Sequence, residues 1–157
     1  MSQFDRILLC YDGTASGQAT LRCGSALAPQ MNAEAHLLAI LDCCDWSGGL
    51  SVPSAVEFEL DAQAATEILR DGVARLRSSG VAATGHLLVG NPLDEIARLA
   101  NILKVDLIVI GHRSGSAFAR WWTSDNHAVL LRRVSCGVLF EDAPAVPKEI
   151  AELSEIR

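Results

Sequence analysis

At 157 residues the chain has the length of one globular domain, enough to bury a full core. Half its residues are apolar, a fifth are charged, and the net charge is −6. That acidic balance speaks against nonspecific nucleic-acid binding and against an anionic membrane surface, both of which need a basic patch.

The five cysteines (Cys10, Cys23, Cys43, Cys44, Cys136) form no CxxC pair and no metal-ligand spacing. They read as small apolar residues in a reducing compartment. The opening MSQFDRILLC has too short an apolar stretch for export, and no run approaches the ~20 residues that span a bilayer. A soluble, cytoplasmic protein is expected.

In chain order, Arg6 to Tyr11 contains the unbroken apolar run ILLC, which suits a strand buried on both faces. Asp12-Gly13-Thr14 is a turn signal. A helix is expected from about Ser16 to Ala28, with Ala19, Cys23, Ala26 and Leu27 on one face and Pro29 just past its end. Ala35 to Leu41 is a second buried strand. Cys43 to Ala55 has no period and reads as a loop.

From Val56 to Leu76 the residues Val56, Leu60, Ala64, Ile68, Val73 and Leu76 recur at helical spacing, and Ser78-Ser79-Gly80 stops the helix. Ala82 to Val89 alternates as a strand. Asn91-Pro92 is a helix start, with Asn91 as cap, Pro92 in the first turn, and Asp94 and Glu95 at the positive end of the dipole. Leu93, Ile96, Ala97, Ala100 and Leu103 form its buried stripe. Leu107 to Ile110 is another buried strand, ending at Gly111. Asn126 to Arg133 is a short helix, and Cys136 to Phe140 a fifth strand.

Strands and helices therefore alternate, which predicts an α/β fold with a five-stranded parallel sheet, doubly wound, binding ligands at the carboxyl ends of its strands. Residues 1–143 are read as one domain. Residues 144–157 are read as a tail whose Ile150, Leu153 and Ile156 fit a short docking helix, marginal on its own.

Chemistry concentrates between Asp106 and Asn126. A strand that delivers a glycine-containing loop to a helix N-terminus is how α/β proteins build phosphate sites, because free N–H groups there face an anion. The remaining signals are bland. His112 has no carboxylate or second histidine beside it in sequence. His36, His86 and His127 show no metal spacing. Trp121-Trp122 fit either a core or a stacking surface. Ser16 and Ser114 lack a GxSxG elbow, so hydrolase chemistry has no support.

The sequence RILLCYDGT (6–14), VGNP (89–92), DLIVIG (106–111), a loop of about a dozen residues and a closing SCGVLF (135–140) resembles the universal stress protein family over residues 4 to 141. The resemblance implies a Rossmann-like α/β/α sandwich of the adenine nucleotide alpha hydrolase-like kind. It also implies a homodimer joined through the last strand, Gly137–Phe140, and either an ATP-binding or a non-binding branch.

In the binding branch, adenine and ribose contacts would fall on Asp12 and about Ile40, and phosphate contacts on a pattern G-x2-G-x9-G-[ST]. Here that pattern reads Gly111, Ser114, Ser124, Asp125, with Gly115 one residue from the second position. Serine restricts the positive φ and the close backbone approach that glycine permits. Asp125 brings a carboxylate to the helix mouth that should receive phosphate.

The expected function is thus a non-catalytic homodimeric stress-response or regulatory protein with no obligate cofactor. The alternative is an ATP- or AMP-binding member using Asp12 and the Gly111–Ser124 region, with at most slow hydrolysis. A flavin carrier ranks behind both. DGTASGQA is loosely similar to a flavodoxin phosphate loop, but it offers only Thr14 and Ser16 as hydroxyls. A phosphoacceptor response regulator would need an acidic pair and a catalytic lysine, and the only lysines are Lys104 and Lys148.

Overall fold

The computed structural model describes residues 4–11, 15–41, 55–111 and 124–141. Five strands, β1 (Arg6–Cys10), β2 (Glu34–Leu41), β3 (Ala83–Val89), β4 (Leu107–Gly111) and β5 (Gly137–Glu141), alternate with four helices, α1 (Ala15–Met31), α2 (Ala55–Ser78), α3 (Pro92–Leu103) and α4 (Ser124–Arg133). The sheet order is β3-β2-β1-β4-β5, and every pairing is parallel. The expected five-stranded doubly wound sheet is what the chain builds.

Alternation along each strand divides the core in two. Ile7, Leu9, Tyr11, Leu37 and Val109 pack under α1 and α2, through Leu21, Ala28, Leu69, Val73 and Leu76. Leu8, Cys10, Leu38, Ile108 and Ile110 pack under α3 and α4, through Leu93, Ile96, Ala97 and Leu130. Such strands are buried on both faces, which is why they read as continuous apolar runs.

The stripe expected on α2 is displaced in part. Ala64 and Ile68 are exposed, while Val73 and Leu76 meet the sheet as expected and are joined there by Leu69 and Gly72. Ala26 of α1 likewise faces outward, while Leu21 and Ala28 are buried. In α2, Ile68 and Leu69 are apolar, similar in size and one position apart, so the periodicity leaves the rotation of that helix ambiguous by about 100°.

Three helices end the same way. Asn32, Gly80 and Lys104 adopt positive φ of 53°, 83° and 53° after α1, α2 and α3. The next residue, Ala33, Val81 or Val105, donates back to Ala28, Leu76 or Ala100 at 2.9, 3.1 and 3.1 Å. This is the left-handed closure that satisfies last-turn carbonyls and sends an apolar residue into the core. It also corrects the end expected for α1. Pro29 lies inside the helix, in its last turn. There it forfeits only one N–H bond, and its carbonyl still accepts from Asn32.

The amino ends of the central strands are held by Asp106. Its Oδ2 accepts from the backbone N–H groups of Asp5 and Arg6 at 2.7 and 3.0 Å. Its own N–H donates to the Arg6 carbonyl, and its carbonyl accepts from Gly137. No helix among the described residues is long and apolar enough to cross a membrane.

Candidate functional site

The strand order reverses direction of travel at β1: β2 and β3 lie to one side, β4 and β5 to the other. Open α/β sheets bind ligands at such a switch point, beyond the carboxyl ends of the strands. Cys10 pairs with Ile110 of β4 and with Leu38 of β2. The register carried one or two residues further sets Gly111 and Ile40 on either side of the exit from β1. Two strand spacings separate them, about 10 Å.

Ile40 and Gly111 are therefore brought to one end of the sheet, around the point where the chain leads to Asp12. Asp12, Ser114 and Gly115 lie outside the described residues. So do His112, Arg113, Arg120, Trp121, Trp122, the 43–54 loop and the 144–157 tail. Ser124 is the first residue of α4, which puts Asp125 second in that helix.

The floor of this end is built by residues that the sequence did not single out. Tyr11 is 2% exposed and turns toward the α1/α2 side of the sheet. Its hydroxyl accepts from Gln18 Nε2 at 3.0 Å, and Gln18 Oε1 accepts from Arg75 Nη1 at 2.9 Å. Arg75 also pairs with Asp71 across one helical turn at 3.0 Å. A network of this kind orients the residue immediately before Asp12. Its members come from three elements, so no local spacing announces it.

The VGNP segment forms the wall next to Ile40. Gly90 adopts φ 152°, and its N–H donates to the Leu41 carbonyl at 2.9 Å, tying the ends of β2 and β3 together. A Cβ at Gly90 would sit 3.0 Å from the Glu95 side chain, so conformation and space both favour glycine. Asn91 caps α3 as expected, its Oδ1 accepting from the N–H groups of Leu93 and Asp94 at 3.0 and 3.3 Å. Asp94 pairs with Arg133 of α4, and Glu95 with Arg98.

The described residues hold no group of three His, Cys, Asp or Glu side chains able to bind a metal. His127 stacks on Phe140 with ring centroids 4.1 Å apart. His36 and His86, fifty positions apart and without any recognisable spacing, meet across β2 and β3 with Nδ1 and Nε2 3.0 Å apart. Both are held below the ordinary histidine range, foremost by burial. Burial pushes the Cys136 thiol up, which leaves it a poor nucleophile.

Comparison with known proteins follows the same outline. Residues 3–140 match the model of the Universal stress protein family. No curated protein matches the chain. Among solved structures, the hypothetical protein MJ0577 superposes with a TM-score of 0.73 at 17% identity, covering 92% of this chain and 99% of that one. A universal stress protein in complex with cAMP superposes with a TM-score of 0.63 at 21% identity, covering 90% and 98%. The universal stress protein from Archaeoglobus fulgidus in complex with dAMP gives 0.61 at 20% identity, covering 90% and 99%. At these identities the likeness is one of fold.

Proposed function

Because this chain belongs to the universal stress protein family, we propose that it acts as a non-catalytic, homodimeric stress-response or regulatory protein without an obligate ATP. The observation that carries this reading is the start of α4 at Ser124, with Asp125 in its first turn. That turn is where a phosphate would meet the free N–H groups and the positive end of the helix dipole. An aspartate in that turn brings a negative charge to the same helix end. Two negative charges ~4 Å apart repel by about 1 kcal/mol in water and by several times that when partly buried.

The loop before α4 adds to this. Of the positions G-x2-G-x9-G-[ST], only Gly111 is kept, with Ser114, Ser124 and Asp125 at the others. Arg113 and Arg120 would have to offset the added carboxylate to restore phosphate binding.

Homodimerisation through Gly137–Phe140 is supported by the position of β5. It is an edge strand whose outer side pairs with no strand among the described residues. Val138, Leu139 and Phe140 on it are only half-buried. Exposed edges of this kind invite pairing with a second chain.

The second reading is binding of an adenine nucleotide at Asp12, Ile40 and the Gly111–Ser124 region. What favours it is the pair of related folds crystallised with cAMP and dAMP and the retention of Gly111 at the end of β4.

Rebuilding the site separates the two. The triple variant Ser114→Gly, Ser124→Gly, Asp125→Ser is expected to bind ATP at least about tenfold more tightly than the parent by titration calorimetry, equivalent to 1.4 kcal/mol. Equal affinity in the two proteins would show that these residues do not govern nucleotide binding.

A further inference from the structure

The His36–His86 pair plays no part in the candidate site, and its chemistry is unusual for a sheet interior. Among the described residues, β3 is an edge strand that pairs with β2 alone. His36 is level with Leu8 and Thr84, and His86 is level with Leu38. The two rings thus meet diagonally across the β2–β3 boundary, centroids 5.2 Å apart, with Nδ1 of His36 3.0 Å from Nε2 of His86. His36 is 8% exposed, and its Nε2 is buried with no hydrogen-bond partner.

These facts favour one placement of the protons. A neutral imidazole has one N–H and one bare nitrogen. If His36 carried its proton on Nε2, a buried N–H would be orphaned, the rarer and costlier defect. The better arrangement puts the proton on Nδ1, donating to His86 Nε2, and leaves Nε2 of His36 as a bare acceptor.

A second proton on either ring is then unfavourable. On His36 the new proton goes to buried Nε2. On His86 it goes to Nε2 and sets two donors face to face. Reversing the bond moves the problem to Nε2 of His36 without removing it.

The charged surroundings offer little compensation. Glu34 favours a charge on His36, but it is paired with Arg6 at 3.0 Å, and Arg6 opposes that charge. Arg6 also donates to the Leu103 carbonyl at the end of α3. On α3, Glu95 is paired with Arg98 and Asp94 with Arg133, while Lys104 follows as its C-cap. His86 is opposed by burial and by a charge on His36.

We propose that the His36–His86 pair is an acid-sensitive latch that holds edge strand β3 onto the sheet, so that acidification loosens β2–β3 pairing while β1, β4 and β5 stay in place. The carboxyl ends of β2 and β3 carry Ile40 and Gly90, so one wall of the candidate site loosens with them. The sign follows from linkage. Both histidines sit below the ordinary value of 6.5 when folded, so the released state binds protons more readily. The latch is fully closed above pH 6.5 and weakens as pH falls from there through the folded values.

Hydrogen exchange on the full chain, corrected for intrinsic rates, tests this. Between pH 7.5 and 5.5, protection within 83–89 is expected to fall, by up to about tenfold per histidine for each pH unit between 6.5 and its lower folded value, while 107–111 changes little. The double variant His36→Leu, His86→Leu is expected to lose this difference. If that variant does not fold, His86→Gln, which can still accept from His36 Nδ1, is expected to shrink it. Equal protection in the parent at both pH values overturns the proposal, and so does a pH effect that persists unchanged in the variants.

Discussion

Replacing Ile108 by Ala is expected to lower the unfolding free energy by about 4 kcal/mol. Ile108 is 0% exposed, in the strand flanked by β1 and β5. Its register partners are Leu8 on one side and Val138 on the other, and all three belong to the core beneath α3 and α4. The cost is high because the site cannot collapse. Backbone ladders hold β4 on both sides, so removing the side chain leaves most of its volume as a void.

Against a total stability of about 5–15 kcal/mol, such a loss is a large fraction. Urea unfolding checks it, with a shifted midpoint and an unchanged slope. Ile102→Ala serves as control, since Ile102 is 62% exposed, and should change stability by under about 0.5 kcal/mol. Similar losses for the two variants would contradict the two-layered core.

Gly72→Val is the second large effect, acting by overpacking. A Cβ at Gly72 would lie 2.6 Å from Leu37 Cδ2 and 2.8 Å from Tyr11 Cε1. Neither neighbour can retreat freely. Leu37 is 0% exposed, and Tyr11 is 2% exposed with its hydroxyl bonded to Gln18. The helix must lift from the sheet or the tyrosine must shift.

Overpacking of this kind costs about 1–3 kcal/mol, and valine's added γ carbons put this site at the upper end. At about 3 kcal/mol the melting temperature should drop by roughly 10 °C for a domain of this size. Because Tyr11 precedes Asp12, the same variant should disturb the carboxyl end of β1. A melting temperature equal to the parent's would mean that α2 does not approach the sheet this closely.

Both variants act on features of different legibility. The continuous apolar runs ILLC and LIVI, the cap at Asn91-Pro92 and the alternation of strand with helix are local patterns, and the fold follows them. The rotation of α2 was not legible, because Ile68 and Leu69 are adjacent and equally apolar. Only the sheet, by admitting Gly72 at close range, decides between them. The end of α1 is hidden because Pro29 reads as a terminator, although a proline in the last turn forfeits only one bond.

The site divides along the same line. Its placement at the ends of β1, β2 and β4 follows from the order of elements, and Ile40 and Gly111 lie where that order predicts. The Tyr11–Gln18–Arg75 network, the Asp106 clamp and the His36–His86 contact each join residues remote in sequence. Nothing in their spacing marks them, since what brings them together is the register of a parallel sheet. Asp12, Ser114 and Gly115 fall outside the described residues.

The central claim is that this family member works as a dimer without obligate nucleotide. Native mass spectrometry of the purified wild-type protein tests it in one measurement, followed by denaturation and identification of anything released. The expected result is the mass of two chains with no nucleotide retained. A species carrying close to one ATP or AMP per chain would contradict the account.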